Sequence, residues 1–542
     1  MRRIVIIGGV AGGMSAATRA RRMNEQAEIV VLEKGGYISF ANCGLPYHLA
    51  GRIESESELL LSTPEKVWSR FRIDARVGQE ALSIDRAKKL IRVKRLSDAT
   101  EYDLPYDKLI LAPGASAIIP PMSNVDAANV MLLRTMEDMQ QIRARLAGQQ
   151  PRRITIVGGG FIGLEMAEAM VDRGLEVTVV EKNARVLPPI DPEMAKFVED
   201  ELAHHGVKVF ANNGLKALVG SKDRVTHVEL EDGTKLETDI VLLSIGVRPN
   251  TMLAKNAGLT IGGSGAIEVD AYQRTNDPDI YAVGDAAEVV HGVSGKRTRI
   301  PLAGPANRQG RLAGEHAASD TALAGQSVLG TAIVAVFDLA VAVTGLGEKM
   351  ARENGFDVDT AYVLPNQHVA YYPGAEAMRI KLIYDKTTGK VLGGQIVGKS
   401  GVDKRIDVLA TAINFGATLE QLASLDLAYA PQFGAAKDPL HMAAFVALNQ
   451  MRGKSHGVTL DQVNGDQLLD VRTPDEFAAG TFSGAINIPL DDLRARVGEL
   501  DRTRPTVVFC HAGQRGFVAE RILSQSGFEQ VKNLKGGYSM TN

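Results

Sequence analysis

Cysteine, tryptophan and surplus charge are what this 542-residue chain has least of: two cysteines, one tryptophan, and 61 basic against 64 acidic residues for a net charge of −3. Two thiols at widely separated positions build no disulfide framework and suit a reducing compartment. Without a basic surplus the chain lacks the footprint of a nucleic-acid binder or of a protein held on an anionic membrane. No run of about 18 apolar residues occurs. Residues 1–9 run straight into a strand and a glycine loop rather than a charged-then-apolar leader, so the expectation is a cytoplasmic protein with no membrane contact. At 45% hydrophobic and 23% charged residues the composition is that of an ordinary globular protein. Roughly 150 residues per domain implies three or four domains.

The two cysteines stand in loop-like surroundings rather than in apolar stripes. Cys43 lies in Ser39-Phe40-Ala41-Asn42-Cys43-Gly44-Leu45-Pro46-Tyr47, and Cys510 opens Cys510-His511-Ala512-Gly513-Gln514-Arg515-Gly516. Free cysteine is most often a small buried hydrophobe, but Gly, Pro, Asn and Arg neighbours point to thiols chosen for reactivity. A following helix N-terminus is expected to favour the Cys43 thiolate, and an amide-lined loop with Arg515 to do the same for Cys510.

Two strand-loop-helix-strand-acid units precede and follow residue 100. In the first, a strand over 3–7 ends in Gly8-Gly9-Val10-Ala11-Gly12-Gly13, a helix is expected over 14–23, and a strand over 27–32 ends in Glu33. Gly8 and Gly13 match the dinucleotide fingerprint, Val10 replaces its middle glycine, and Glu33 is placed to accept from a ribose hydroxyl. The second unit, Gly158-Gly159-Gly160-Phe161-Ile162-Gly163, matches fully at Gly158, Gly160 and Gly163. A helix is expected over 164–173, and the strand over 176–180 ends in Glu181, which favours NADH over NADPH by repelling a 2′-phosphate, an effect softened by Lys182.

A third element, Thr275-Asn276-Asp277-Pro278-Asp279-Ile280-Tyr281-Ala282-Val283-Gly284-Asp285, follows the strand endings Leu111-Ala112-Pro113-Gly114 and Gly246-Val247-Arg248-Pro249. Together these resemble the pyridine nucleotide-disulfide oxidoreductases, two-dinucleotide flavoproteins. The resemblance implies FAD held in part by Asp285, NADH as reductant, and an FAD domain split by the NADH domain. The implied spans are 1–115 and 250–322 for FAD, 116–249 for NADH, and 323–450 for an α+β dimerisation domain, hence a homodimer.

Members like glutathione reductase carry two nearby cysteines and a C-terminal His-Glu pair; this chain has neither. The partner sulfur must then come from the substrate. Single-cysteine relatives divide into oxidases or peroxidases and reductases of coenzyme A disulfide or persulfide. Ala11 stands where peroxidases place a histidine. The Cys43 segment, Pro301-Leu302-Ala303-Gly304-Pro305-Ala306-Asn307-Arg308, Tyr371-Tyr372-Pro373-Gly374 and Asp426-Leu427-Ala428-Tyr429-Ala430-Pro431 resemble the coenzyme A-disulfide and NADH-dependent persulfide reductase group. By that resemblance Ser15, Arg19, Arg22, Ser39, Asn42 and Asn307 contact coenzyme A. Phe71 replaces a lysine used by some relatives. Tyr371 and Tyr429 supply protons to leaving thiolates from the neighbouring subunit.

Beyond a polar break at 451–457, Asp470-Val471-Arg472-Thr473-Pro474 and Ser483-Gly484-Ala485-Ile486 reopen a strand-helix pattern that places Cys510 at a strand end and a helix from about Phe517. This resembles a rhodanese domain, spanning 458–542, whose cysteine carries persulfide sulfur. Thr481 replaces a usual histidine, and a usual tryptophan after Gly536-Gly537-Tyr538 is missing. The reading is an FAD-dependent NADH:persulfide or polysulfide reductase, with coenzyme A disulfide as alternative acceptor and no metal site. A water- or peroxide-forming NADH oxidase and a redox-sensing flavoprotein remain open.

Overall fold

In the computed structural model, which describes residues 1–540, Arg3–Ile7 is the middle strand of a five-stranded parallel sheet. The order runs Ile280–Ala282, Lys108–Leu111, Arg3–Ile7, Glu28–Leu32, Ile73–Arg76. Ile4, Val5 and Ile6 are fully buried because helices or sheets cover both faces, as a parallel sheet requires. The outermost strand, Ile280–Ala282, pairs with Lys108–Leu111, so chain segments far apart in sequence complete one layer. A second parallel sheet repeats the pattern in the order Lys208–Phe210, Glu176–Val180, Arg153–Val157, Ile240–Leu243, Val130–Met131.

Helix Ala11–Met23 packs on helix Ala303–Ser319 at backbone distance. A Cβ on Gly310 would lie 2.1 Å from the Gly12 carbonyl oxygen, and one on Gly314 would lie 2.2 Å from that of Ala16. Small residues on both faces are what allow the approach, and they fix helix Ala303–Ser319 against helix Ala11–Met23.

Both glycine-loop helices start three residues earlier than the sequence pattern suggests, at Ala11 and Phe161. The last glycine of each fingerprint lies inside the first helical turn, where it reads as a breaker but serves close packing. The helix after Cys510 likewise begins at Gln514 rather than Phe517, because Gly513, at φ +88°, ends the loop.

The chain divides into two compact units, 1–188 with 202–330, and 189–201 with 331–542. Residues 189–201 thus depart from the expected NADH span of 116–249. Asp191 is drawn into the second unit by the buried Lys381 ammonium at 2.7 Å and by Gln395, whose Nε2 donates to it at 2.8 Å. That unit contains an antiparallel five-stranded sheet, Ala332–Val336, Leu339–Gly345, Val391–Gly398, Met378–Asp385, Val358–Val363, and a parallel one, Gly457–Val458, Val531–Leu534, Thr506–Phe509, Gln467–Asp470, Ile486–Asn487. Among the described residues no helix is long and apolar enough to cross a membrane.

Candidate functional site

The two glycine loops are near copies in three dimensions. Gly8 and Gly158 adopt φ of +104° and +109°, and a Cβ on either would strike a neighbouring strand's carbonyl, Ala112 at 2.0 Å or Ser244 at 2.4 Å. Gly13 and Gly163 rest on those first glycines, with Cβ positions 1.8 Å from the Gly8 oxygen and 2.0 Å from the Gly158 oxygen. The middle position differs. Val10 precedes the first helix, whereas no protein atom lies within 4 Å of a Cβ on Gly160, so its openness serves whatever enters the groove.

Glu33 and Glu181 brace these loops. Gly9 N–H donates to Glu33 Oε2 at 2.7 Å and Gly35 N–H to Oε1 at 2.7 Å. Gly159 N–H donates to Glu181 Oε2 at 2.8 Å and Asn183 N–H to Oε1 at 2.7 Å. Asn183 Nδ2 also donates to Glu181 Oε1 at 2.6 Å, so both oxygens of Glu33, but only Oε2 of Glu181, keep a lone pair for a ribose hydroxyl. Neither helix has an acid in its first turn or a side-chain cap, leaving amides and dipole available to a pyrophosphate. These features fit FAD in the first cradle and NADH in the second.

Asp285 lies in the 3-10 turn Gly284–Ala286 after the outermost strand and accepts from Arg134 Nη2 at 2.5 Å. Arg134 Nε donates to the Ala115 carbonyl at 3.1 Å. Asp285, Ala115, Gly246 and Ser264 line a groove of about 480 Å³. Arg134 belongs to no sequence motif and was not anticipated.

Cys43 is exposed on the turn Asn42–Gly44 that enters the six-residue helix Leu45–Ala50. The preceding Ser39 is held at φ +49°, a strained conformation for serine, with its N–H donating to the Gly9 carbonyl at 2.8 Å. Backbone strain therefore ties the cysteine segment to the first glycine loop. Among the protein's own groups, partial burial first, then Glu165, push the Cys43 thiol up, Arg134 opposes this, and Asp285 adds to the rise. The helix after Cys43 is only six residues long and supplies little dipole.

Tyr47 OH donates to Glu165 Oε1 at 3.2 Å, and burial, followed by Glu165, pushes the phenol up to about 12. Arg52 pairs with Glu168 and with Asp172, and Arg173 Nε donates to the Leu49 carbonyl at 2.6 Å. The helix that follows Cys43 is in this way bolted to helix Phe161–Asp172 of the second glycine loop.

Of the residues expected to contact coenzyme A, Ser15 and Asn307 come together, Ser15 Oγ donating to Asn307 Oδ1 at 2.5 Å. The two arginines differ in their surroundings. Arg19 is bound by Glu315 through Nε and Nη2 at 2.8 and 2.6 Å, while Arg22 is exposed over the Phe71 ring at 5.7 Å. Asn42 is half-buried beside Cys43.

In the second unit Tyr371 and Tyr429 form a pair, their phenol oxygens 3.2 Å apart and their side chains 74% and 46% exposed. The hydrogen bond with Tyr371 raises the Tyr429 pKa. Tyr372 and Phe433 are exposed near them in sequence.

Cys510 follows strand Thr506–Phe509, and its side chain is 1% exposed, within the apolar core of its domain. Gly513 N–H reaches Cys510 Sγ at 3.1 Å, the amide contact the loop was expected to supply. Arg515 faces the sulfur but is committed to Glu476 by two bonds of 2.7 Å, and this holds the Glu476 carboxyl down at about 2. Thr481, in place of the usual histidine, donates to Asp470 Oδ2 at 2.9 Å. Where a tryptophan was missed, Tyr538 packs on Phe482 and Phe509, and its N–H donates to the Cys510 carbonyl at 2.8 Å. Among the described residues of this unit, Asp191, Glu193 and Glu348 converge closely enough to hold a metal ion, but the Lys381 ammonium occupies their centre.

Comparison with known proteins agrees with this geometry. The family described as pyridine nucleotide-disulphide oxidoreductase matches residues 2–310, its dimerisation domain residues 331–439, and a rhodanese-like domain residues 457–540. A crystal structure of reduced CoADR-RHD from Bacillus anthracis is 43% identical, with a TM-score of 0.96 over 99% of this chain and 97% of that one. A NAD-dependent persulfide reductase from A. fulgidus is 38% identical, with a TM-score of 0.95 over the whole of both chains. A protein of Methanocaldococcus jannaschii named NADH oxidase is 36% identical over 83% of this chain and all of its own length. Other relatives carry the names NAD(P)H sulfur oxidoreductase (CoA-dependent), at 35% identity, and coenzyme A disulfide reductase, at 30%. Two braced dinucleotide cradles, an exposed single cysteine tied to the first of them, and a rhodanese-like tail place this chain in the pyridine nucleotide-disulphide oxidoreductase family, fused to a rhodanese-like domain.

Proposed function

We propose that the protein is an FAD-dependent, NADH-driven reductase of persulfides and polysulfides, with coenzyme A persulfide as the preferred carrier and coenzyme A disulfide as a second substrate. The observation that carries the reading is Cys43 itself: an exposed thiol on a strained segment hydrogen-bonded to the first glycine loop, with no second cysteine near it in sequence. Its sulfur partner must arrive with the substrate.

When bound, FAD accepts a hydride from NADH and passes on two electrons. Gly8, Gly13, Glu33 and Asp285 would hold it, and Gly158, Gly160, Gly163 and Glu181 would hold NADH. Cys43 attacks the outer sulfur of R–S–SH as its thiolate, forming Cys43–S–SH and releasing RS⁻. Two electrons and one proton then return Cys43 to the thiolate and release H₂S. Because burial, and after it Glu165, push the Cys43 thiol up, the thiolate must be favoured by what binds beside it. Tyr429, paired with Tyr371, donates the proton to the leaving thiolate, delivered from the second subunit of a homodimer. Ser15, Asn307, Ser39, Asn42 and Arg22 would contact the coenzyme A portion. Cys510 passes sulfane sulfur to that carrier, with Arg515 beside it. Two free thiols at work fit a cytoplasmic setting.

The deciding experiment measures NADH consumption against coenzyme A persulfide, polysulfide, coenzyme A disulfide and oxygen side by side. Persulfide or polysulfide should exceed oxygen by at least tenfold. Fast oxygen-dependent consumption without a sulfur substrate would make the protein an oxidase, and near-zero turnover with every acceptor would make it a sensor.

A further inference from the structure

The charge around Cys510 is balanced to an unusual degree for a site meant to receive an anion. Arg515 is the only cation of the Cys510–Gly516 loop apart from His511, and while its guanidinium faces Cys510, each of its outer nitrogens donates one hydrogen bond to Glu476 at 2.7 Å, pairing its charge with that carboxylate. Arg472, whose guanidinium lies 4.2 Å over the Tyr538 ring, is bound to the buried Asp470 at 2.7 Å. Lys535, next to Gly536, is paired with Asp359. Each fixed cation around the loop therefore has its own carboxylate.

Glu476 is no mobile surface acid. Its Oε2 also accepts from Thr473 N–H at 3.0 Å, and its own N–H donates to Thr473 Oγ1 at 3.3 Å, completing a capping box on helix Pro474–Ala478. The carboxylate is thus fixed from the backbone side and presented to Arg515 ready-made.

We propose that Glu476 is a specificity-determining residue that neutralises Arg515 and so biases Cys510 away from small dianions such as thiosulfate and toward monoanionic persulfides. This rests on the reading of Cys510 as an acceptor of sulfane sulfur. In that step the Cys510 thiolate attacks the terminal sulfur of R–S–S⁻. A new S–S bond forms as the old one breaks, RS⁻ leaves with the electron pair, and nothing is oxidised or reduced overall. Thiosulfate would donate the same sulfur and leave as sulfite, but it approaches the thiolate with twice the charge, and the repulsion doubles where no free cation offsets it.

The test uses the full-length, flavin-loaded protein and sulfur transfer to cyanide from thiosulfate or from cysteine persulfide, a net monoanion once its persulfide is ionised. Glu476→Gln keeps the capping box, because glutamine serves at that position as glutamate does, but it removes the charge. The ratio of thiosulfate to persulfide kcat/KM is expected to rise at least fivefold, and the rise to shrink at high ionic strength. Glu476→Asp, which keeps the charge, should not raise the ratio. A ratio unmoved in Glu476→Gln, or raised as much in Glu476→Asp, would overturn the proposal by assigning the effect to packing. Undiminished transfer from both donors in Cys510→Ser would instead remove the sulfur-acceptor reading beneath it.

Discussion

Tyr371 and Tyr429, 58 residues apart in sequence, place their phenol oxygens within hydrogen-bond distance at 3.2 Å. The bond raises the Tyr429 pKa, so Tyr429 stays protonated, and able to donate, to a higher pH than an isolated phenol. Tyr429→Phe should lower sulfur-dependent turnover on the order of a hundredfold while NADH still reduces the flavin at the wild-type rate. Tyr371→Phe should cost about tenfold and move the alkaline limb of the pH–rate profile to lower pH. An unmoved limb would separate Tyr371 from proton delivery.

Cys43→Ser should keep a yellow, NADH-reducible flavin and lose all persulfide reduction, because the first half-reaction needs no thiol. Around the intact thiol, two variants should act with opposite sign. Glu165→Gln removes a charge that raises the Cys43 pKa, so alkylation at pH 7 should quicken by about twofold or more. Arg134→Met removes the opposing charge and should slow it. Both changes are read as the pH midpoint of iodoacetamide labelling.

The two open and closed glycines of the second loop offer a paired test. Gly163→Ala pushes a methyl group to 2.0 Å from the Gly158 oxygen and should cost about 1–3 kcal/mol of stability, seen as a lower Tm. Gly160→Ala meets no protein atom within 4 Å. It should leave Tm unchanged while raising the KM for NADH.

If Glu181 takes the proposed ribose-binding role, it repels a 2′-phosphate, and NADH should exceed NADPH in kcat/KM by at least tenfold. Glu181→Ala should narrow the ratio. Equal efficiency in the wild type would refute the role given to Glu181.

Loss of Cys510 should separate two activities. Cys510→Ser is expected to abolish persulfide sulfur transfer and to leave reduction of coenzyme A disulfide, a freely diffusing substrate, largely intact. If that reduction fell as completely as in Cys43→Ser, the two cysteines would form one redox relay.

The features legible in the sequence were those whose cause is local. The glycine loops, the acids ending the second strands and the Cys510 loop each declare themselves within about thirty residues, because turn geometry and helix capping are short-range effects. What escaped depends on partners brought together by the fold. Arg134 meets Asp285 across 151 positions and Arg19 meets Glu315 across 296, so neither arginine's commitment can be read from its neighbours. Glu476 reads as a helix cap alone, and only the fold shows it holding Arg515 across 39 residues.

Strand Ile280–Ala282, which closes the first sheet, carries a consequence for synthesis. At about 5–20 residues per second it leaves the ribosome on the order of ten to thirty seconds after Lys108–Leu111, the strand it must pair with. In that interval the nascent chain holds an apolar strand with an unfilled edge, and helix Ala11–Met23 lacks the glycine-bearing surface of Ala303–Ser319. Most strands of the second parallel sheet are made in that interval, so the first of the two sheets to begin is the last to be closed. Until then that edge is open to pairing with another chain.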